Sequence, residues 1–417
     1  MALPRLLEVL GNRRIAVLLP LGFASGLPLA LTSGTLQAWL TVAGVDLRTI
    51  GIFALVGLPY TLKFLWAPLM DRFTLPWLGR RRGWMIATQL ALVTAIAAMG
   101  AIGPGDVIWA LGIVALVLAF TSASQDIVFD AYRTDTLQPQ ERGFGAGVSV
   151  MGYRIAMLVS GAMALILSDH IGWRNTYFLM AGVMLIGVAA TMFSPEPAAP
   201  ASTPRTLTEA VRGPLQEFFS RSTAIPLLVL IVLYKLGDAF AGSLTTAFLI
   251  RGVEFSVTEV GVVNKGMGLM ATLLGALVGG ALMVKLGLFR SLLAFGILQA
   301  ISNLSFMVLA WVGKSYPLMV SAVAFENLSG GMGTAAFVAL LMSLCDHRYT
   351  ATQYALLSAL AALGRVFVGP PSGYVVEAVG WPVFFFITFL AALPGLWVLW
   401  LMRNTSAIDR RRHDRPV

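Results

Sequence analysis

The sequence predicts an all-α integral membrane protein with twelve transmembrane helices in two pseudo-repeats of six, and two observations predict this class. Of the 417 residues, 58% are hydrophobic and only 12% are charged, whereas about a quarter of the residues in a soluble domain are charged. Apolar runs of about twenty residues, the length that crosses a bilayer as a helix, recur along the whole sequence. Helices are the expected form of these runs because a backbone in lipid must satisfy its own polar groups.

Twelve apolar runs define the predicted spans. Spans 1 to 6 are predicted at residues 15–40, 50–70, 84–102, 107–131, 144–168 and 174–193, and spans 7 to 12 at 224–250, 258–285, 290–312, 316–344, 352–377 and 382–402. Five prolines between positions 195 and 214 separate the two sets, and such a cluster predicts a linker. The predicted domains are a first half at 1–193, a cytoplasmic linker at 194–222, a second half at 223–402 and a basic cytoplasmic tail at 403–417.

The distribution of basic residues predicts the orientation in the membrane. Of the 29 Lys and Arg residues, 20 fall in segments on one side, four in the opposite loops and five within predicted spans. Basic residues concentrate on the cytoplasmic side of membrane proteins, so both termini are predicted to be cytoplasmic. Because the net charge of +9 comes from short clusters between spans, it does not predict nucleic-acid binding.

Short matches between the two halves indicate duplication. Four pairs of matches are separated by 208 to 215 residues, and one of them relates Arg154 in span 5 to Arg365 in span 11. Two parallel six-helix halves, with a binding site between them at mid-membrane, resemble the architecture of major facilitator transporters. This fold is therefore the one predicted.

Acidic residues within spans are the candidates for proton coupling, because a charge at the bilayer centre costs about 3 kcal/mol and marks ion or substrate pathways. These candidates are Asp126, Glu326, Asp130 and Asp238. Asp126 and Arg154 are predicted at similar depths in adjacent spans, where they could form either a packing ion pair or a proton carrier that responds to substrate. Asp130, one turn nearer the cytoplasm, is expected to form a gating pair with loop arginines.

Basic and amide side chains within spans are the candidates for substrate binding: Gln37, Lys63, Gln125, Arg154, Lys235, Lys265, Asn327 and Arg365. Five cations against four acids favour an anionic substrate. Other interpretations stay open, because Lys63 and Lys265 could extend to the membrane interface. Lys235 and Asp238, three residues apart on one helix, could neutralise each other.

The loop between spans 2 and 3 carries a cluster of charges that resembles the signature loop of major facilitator proteins. Its candidate gating residues are Asp71, Arg72, Arg80, Arg81 and Arg82. In that superfamily the acid at the end of span 2 contacts a neighbouring helix and stabilises one conformation. The alternative is a basic anchor that only follows the charge rule for cytoplasmic loops.

The sequence predicts no enzyme, no cofactor and no metal site. Gly313-Lys314-Ser315 ends like a nucleotide-binding loop, but Val308 stands where that motif requires glycine. The three histidines fall in loops or the tail, and a single cysteine forms no disulfide framework. Without a catalytic constellation, an ion gradient is the expected energy source, and the carboxylates within spans favour protons.

Long segments of the chain are similar to the anhydromuropeptide permease family over nearly its whole length. In the first half these segments are LGFASGLPLALTSGTLQAWL from Leu21, KFLWAPLMDR from Lys63, GRRRGW from Gly79, SASQDIVFDAYRTD from Ser122 and MGYR from Met151. In the second half they are YKLGDAF from Tyr234, VNKGMGL from Val263, FENLSGGMGTAAFVALLM from Phe325 and ALGRVFVGP from Ala362.

The resemblance implies a multi-pass transporter of the bacterial inner membrane, active as a monomer. It would import N-acetylglucosaminyl-anhydro-N-acetylmuramyl peptides by proton symport, using alternating access between its halves. Such import serves peptidoglycan recycling and β-lactamase induction, and hence antibiotic resistance. Related acetyl-coenzyme A transporters share parts of the pattern, so another anionic conjugate is an alternative substrate. A multidrug exporter is a further alternative, although exporters of lipophilic cations usually have acidic cavities.

Overall fold

The computed structural model describes residues 13–67, 70, 73, 79–105, 107–137, 142–197, 218–220, 223–345 and 350–404. All regular secondary structure in these ranges is helical. The predicted gating residues Asp71 and Arg72 lie outside the described residues, as do most of the predicted linker and nearly all of the basic tail.

Eleven helical stretches within the described ranges are long and apolar enough to cross a membrane. The last of them, Leu356–Leu401, has 46 residues. Gly380 inside it has φ of 77° and ψ of 169°, a backbone conformation outside the helical region, so this stretch comprises spans 11 and 12. The described structure therefore agrees with the prediction of twelve spans.

The chain divides into two compact units, which we call unit 1 and unit 2. Unit 1 comprises residues 1–44 and 56–203, and unit 2 comprises residues 45–55 and 204–417. The division near residue 204 falls within the predicted linker. The first part of span 2, at 45–55, is the exception, because it precedes the linker yet packs within unit 2.

Unit 1 contains spans 1 and 3 to 6 and the second part of span 2. Its helices are Arg13–Ala16, Leu18–Leu31 and Gly34–Val42 in span 1, Leu58–Leu62 in span 2, Arg80–Ile102 in span 3, Ile108–Thr136 in span 4, Arg142–Met157 and Ala164–Ile171 in span 5, and Trp173–Phe193 in span 6. A π-helical segment, Leu158–Met163, interrupts span 5, and a 3₁₀ turn, Lys63–Leu65, ends span 2.

Span 1 packs directly on span 5 because glycines remove the side chains that would separate them. A Cβ atom at Gly152 would collide with the carbonyl oxygen of Leu19, and one at Gly22 with that of Ser149. Small residues allow such backbone approach where lipid supplies no hydrophobic drive between helices. The apolar core of this unit includes Leu18, Met85, Val128 and Tyr132.

Unit 2 contains spans 7 to 12. Its helices are Leu47–Phe53 from span 2, Ala224–Tyr234 and Leu236–Ala247 in span 7, Val257–Val260 and Gly268–Leu286 in span 8, Leu288–Val312 in span 9, Tyr316–Leu344 in span 10, Thr350–Phe367 in span 11, and Gly369–Leu401 across the end of span 11 and span 12. Two π-helical segments, Phe248–Gly252 and Gly261–Met267, lie in spans 7 and 8. Such segments occur often at functional sites.

Glycines also explain why residues 45–55 belong to unit 2. A Cβ atom at Gly373 would collide with the carbonyl oxygen of Leu47, and one at Gly369 with the side chain of Ala54. An ion pair of 2.5 Å between Arg48 Nε and Glu377 Oε2 adds to this backbone contact. Helix Leu47–Phe53 therefore lies against the beginning of helix Gly369–Leu401.

Candidate functional site

Asp126 in span 4 is the best-placed acidic candidate of unit 1. It lies half-buried on helix Ile108–Thr136, and its Oδ1 accepts a hydrogen bond of 2.5 Å from Ser25 Oγ of span 1. The charges that act on it are the opposite charge of Lys63 and the like charge of Asp130. Asp126 is thus held by a hydroxyl from span 1 and faced by one cation from span 2.

The expected contact between Asp126 and Arg154 does not form among the described residues. Arg154 Nη1 instead lies 3.5 Å from the sulfur of Met157, on its own helix. Similar depth on spans 4 and 5 suggested that these charges could meet, but span 5 packs on span 1. Depth along a helix does not determine the direction in which a side chain points around it.

Asp130 lies one helical turn beyond Asp126 and has two basic partners. Its Oδ1 lies 3.1 Å from Arg133 Nη2 and its Oδ2 lies 3.9 Å from Lys63 Nζ. Arg133 follows the predicted end of span 4, but the helix continues to Thr136, so this arginine pair forms within one helix. The loop residue Arg81 pairs with Asp135 instead, at 2.8 Å.

The amide candidates of unit 1 occupy different surroundings. Gln125 is buried, and its Oε1 has no hydrogen-bond partner among the described residues. Gln37 is half-buried on helix Gly34–Val42. A buried polar atom without a protein partner is unfavourable, so Gln125 is an amide that a polar ligand or water could satisfy.

The beginning of span 3 is bound by the segment that follows span 6. Arg80 opens helix Arg80–Ile102, although its side chain lies outside the described part. The backbone N–H groups of Arg81 and Arg82 donate to the two carboxylate oxygens of Glu196, at 2.8 and 3.1 Å. The Arg82 guanidinium donates to the carbonyl oxygens of Thr191 and Met192. An acid at a helix N-terminus satisfies free N–H groups and complements the helix dipole.

In unit 2, Lys235 lies at a break in span 7, between helices Ala224–Tyr234 and Leu236–Ala247. Its Nζ is 3.4 Å from Asp238 Oδ2 and 3.3 Å from Gln299 Oε1 of span 9. The three-residue spacing thus brings Lys235 and Asp238 together, as one interpretation of the sequence held. The Nε2 of Gln299 has no hydrogen-bond partner among the described residues.

Glu326 and Asn327 of span 10 form a second polar group in unit 2. Asn327 Nδ2 donates to Glu326 Oε2 at 2.6 Å, and Asn327 Oδ1 accepts from Thr272 of span 8 at 3.0 Å. The charges of Lys235, Lys265 and Asp238 act on Glu326. Glu326 is therefore connected electrostatically to spans 7 and 8.

Lys265 and Arg365 differ in how far their charges are compensated. Lys265 lies in the π-helical segment of span 8, and its Nζ donates to Thr246 Oγ1 at 2.8 Å. Arg365 is exposed on helix Thr350–Phe367, and its charge acts on Lys235. Among the described residues no side chain pairs with Arg365, so this guanidinium could bind an anionic group.

Sequence reasoning missed the hydroxyl partners of the charged candidates. Ser25, Thr246 and Thr272 bond directly to Asp126, Lys265 and Asn327, but hydroxyls are common in transmembrane helices and carry no distinguishing pattern. Glu196 was also missed, because its role depends on a contact with a helix more than a hundred residues away. No group of three His, Cys, Asp or Glu residues within the described ranges could hold a metal ion.

In each unit, the charged side chains within the spans are arranged in a way that suits solute binding and proton exchange. Each unit carries a carboxylate in its fourth or tenth span with a lysine charge acting on it. Acids and bases within transmembrane spans mark substrate and proton pathways in membrane proteins.

Comparison with known sequences gives a consistent family assignment. The family described as Major Facilitator Superfamily matches residues 18–369. The chain is 58% identical over 405 residues to the anhydromuropeptide permease of Escherichia coli strain K12, a match that covers 97% of this chain and 82% of that protein. It is 39% identical over 401 residues to an uncharacterized protein of Haemophilus influenzae, with 93% and 94% of the two chains covered.

Comparison with solved structures supports the fold. The chain is similar to a D-xylose–proton symporter with a TM-score of 0.71 at 13% identity, over 93% of this chain and 97% of the other. It is also similar to a bacterial homologue of the human lysosomal transporter Spinster, in an inward-facing and unoccupied conformation. That match has a TM-score of 0.69 at 17% identity, over 94% and 97% of the two chains.

Proposed function

The chain belongs to the major facilitator superfamily and, within it, to the anhydromuropeptide permeases, and from this premise we propose that it imports anhydromuropeptides by proton symport. It is a multi-pass inner-membrane transporter rather than an enzyme. The proposed substrates are N-acetylglucosaminyl-anhydro-N-acetylmuramyl peptides, moved from periplasm to cytoplasm by alternating access. The imported compounds would feed peptidoglycan recycling and β-lactamase induction.

The observation that carries this proposal is the 58% identity to the Escherichia coli permease over 97% of the chain. Nearly the whole chain takes part in this match, including the spans that carry the charged candidates. A transporter of this size that shares more than half its residues with a permease is expected to handle a similar class of solute.

The roles proposed for individual residues follow their surroundings. Asp126 and Glu326 would carry protons, because each is a carboxylate within a span whose charge interacts with a lysine. Arg154, Lys235 and Arg365 would hold carboxylates of the peptide and muramyl groups. Gln37, Gln125, Lys265 and Asn327 would make further contacts with the substrate. Asp130 and Asp238 would balance the positive charges of neighbouring basic side chains.

An uptake experiment with purified protein tests substrate and coupling together. The transporter is reconstituted in one orientation into proteoliposomes and given radiolabelled anhydromuropeptide, with and without an inward proton gradient. We expect accumulation only with the gradient. Unlabelled anhydro-disaccharide peptide should compete, whereas free N-acetylglucosamine should not. The matched variant Asp126→Asn, which keeps side-chain size and removes the titratable group, should bind substrate but fail to accumulate it.

Two results would contradict the proposal in different ways. Accumulation that persists without a gradient, or in Asp126→Asn, would exclude proton symport through this acid. Absence of any uptake by folded protein would exclude the substrate, and acetyl-coenzyme A would then be tested in the same vesicles as the alternative anionic conjugate.

A further inference from the structure

Lys63 is surrounded differently from the other cations within spans. It lies in the 3₁₀ turn Lys63–Leu65 at the end of span 2, and its side chain is 35% exposed. Its Nζ is 3.9 Å from Asp130 Oδ2, and its charge is the opposite charge that acts on Asp126. The two acids are four residues apart on one helix, so their side chains share a face and lie about 6 Å apart. One ammonium group therefore serves two carboxylates.

The two carboxylates do not depend equally on Lys63. Asp130 is 54% exposed and already has Arg133 at 3.1 Å, so water and a second cation compensate its charge. Asp126 is less exposed, and its direct contact is the neutral hydroxyl of Ser25. When Lys63 lies near Asp130, the ionised form of Asp126 has no basic side chain in contact with it among the described residues.

We propose that Lys63 controls release of the coupling proton from Asp126 by moving between Asp130 and Asp126, rather than by binding substrate. The inference rests on the proposed proton symport. With Lys63 at Asp130, as in this structure, Asp126 keeps its proton. When the ammonium moves to Asp126, it stabilises the carboxylate and the proton leaves from the Asp126 oxygen to water. Lys63 stays charged throughout and neither gains nor loses a proton.

The other groups around Asp126 are compatible with this role. Tyr60 from span 2 and Tyr153 from span 5 interact electrostatically with Asp126, and a phenol carries no charge at neutral pH. Arg154 of span 5 acts on Tyr153 and contacts the sulfur of Met157. A lysine suits the movement because its ammonium is a compact charge on a flexible four-carbon stem.

The first test separates proton release from substrate binding. Proton-driven accumulation and exchange of labelled for unlabelled substrate at equal pH are measured for wild type, Lys63→Gln and Lys63→Arg. During exchange the carrier replaces one substrate molecule by another and crosses the membrane again with its proton still bound. We expect Lys63→Gln to lose at least about tenfold in accumulation, because a nearby opposite charge lowers the pKa of a carboxyl group by about one to three. Exchange should stay near the wild-type rate. Lys63→Arg should restore part of the accumulation, and Lys285→Gln, an exposed control, should change neither.

The second test needs no transported substrate. Infrared spectroscopy of the purified protein follows the protonated carboxyl band that Asp126→Asn removes. In Lys63→Gln this band should persist to a pH at least about one unit above that at which wild type loses it. An unchanged band, or a Lys63→Gln variant that loses accumulation and exchange equally, would overturn the proposal. Failure of wild type to transport muropeptide while the band shifts would contradict only the proposed function.

Discussion

Ion pairs within the spans show which charges stabilise the fold and which remain able to bind a ligand. Lys235 and Asp238 are 10% and 24% exposed and lie 3.4 Å apart. Arg365 has no such partner in the described ranges. Because an ion pair satisfies part of each charge, Lys235 is less able than Arg365 to bind substrate without losing an existing contact.

The Lys235 pair can be tested by a double-mutant cycle. Lys235→Met leaves the Asp238 carboxylate without its partner. We expect the free energy of unfolding to fall by about 3 kcal/mol, which is the low end for breaking a buried ion pair, because Asp238 is partly exposed. Adding Asp238→Asn should recover most of this loss, because no unpaired charge then remains. The measurement is denaturant unfolding in detergent, with the exposed Lys285→Met as control. A double variant as unstable as the single one would contradict this account.

At the scale of helices, close approach is determined by individual glycines rather than by average hydropathy. Gly152 and Gly147 lie on the same helix, Arg142–Met157. A Cβ at Gly152 would collide with the backbone of Leu19, whereas one at Gly147 would meet no atom within 4 Å. Only the first glycine is therefore required for the contact between spans 1 and 5.

This difference supplies a matched pair of substitutions. Gly152→Leu should separate spans 1 and 5 and lower the free energy of unfolding by at least about 3 kcal/mol, the upper range for overpacking in a well-packed core. It should also reduce transport, since Ser25 of span 1 holds Asp126. Gly147→Leu should have little effect on either property. The yield of monodisperse protein and its unfolding temperature provide the readouts, and equal behaviour of the two variants would exclude the proposed packing role.

At the scale of the whole molecule, the charge distribution remains the argument for orientation. The 20 basic residues on one side against four on the other follow the positive-inside bias of membrane proteins, so both termini are predicted to be cytoplasmic. On this orientation, Glu196, Arg81 and Asp135 lie at the cytoplasmic end of unit 1, and Asp126 is expected to release its proton toward the cytoplasm.

Reporter fusions test this orientation directly. A fluorescent protein that folds only in the cytoplasm, fused after Val417, should be fluorescent, and a phosphatase active only in the periplasm should be inactive there. The same reporters placed in the loop near Gly313, between spans 9 and 10, should give the opposite results. Periplasmic activity at Val417 would reverse the orientation and the predicted direction of proton release.

The sequence by itself determined the membrane class, the spans and their pairing into two sets, because apolar length and helical spacing are local properties that lipid enforces. The ion pair of Lys235 with Asp238 was accessible for the same reason, since three residues on a helix bring two side chains to one face. The partner of Asp126, the Glu196 cap on span 3 and the position of residues 45–55 within unit 2 were decided only by tertiary structure. Each depends on which helices touch and on how each is rotated about its axis. Glycines allow two of these approaches, that of span 1 to span 5 and that of residues 45–55 to helix Gly369–Leu401.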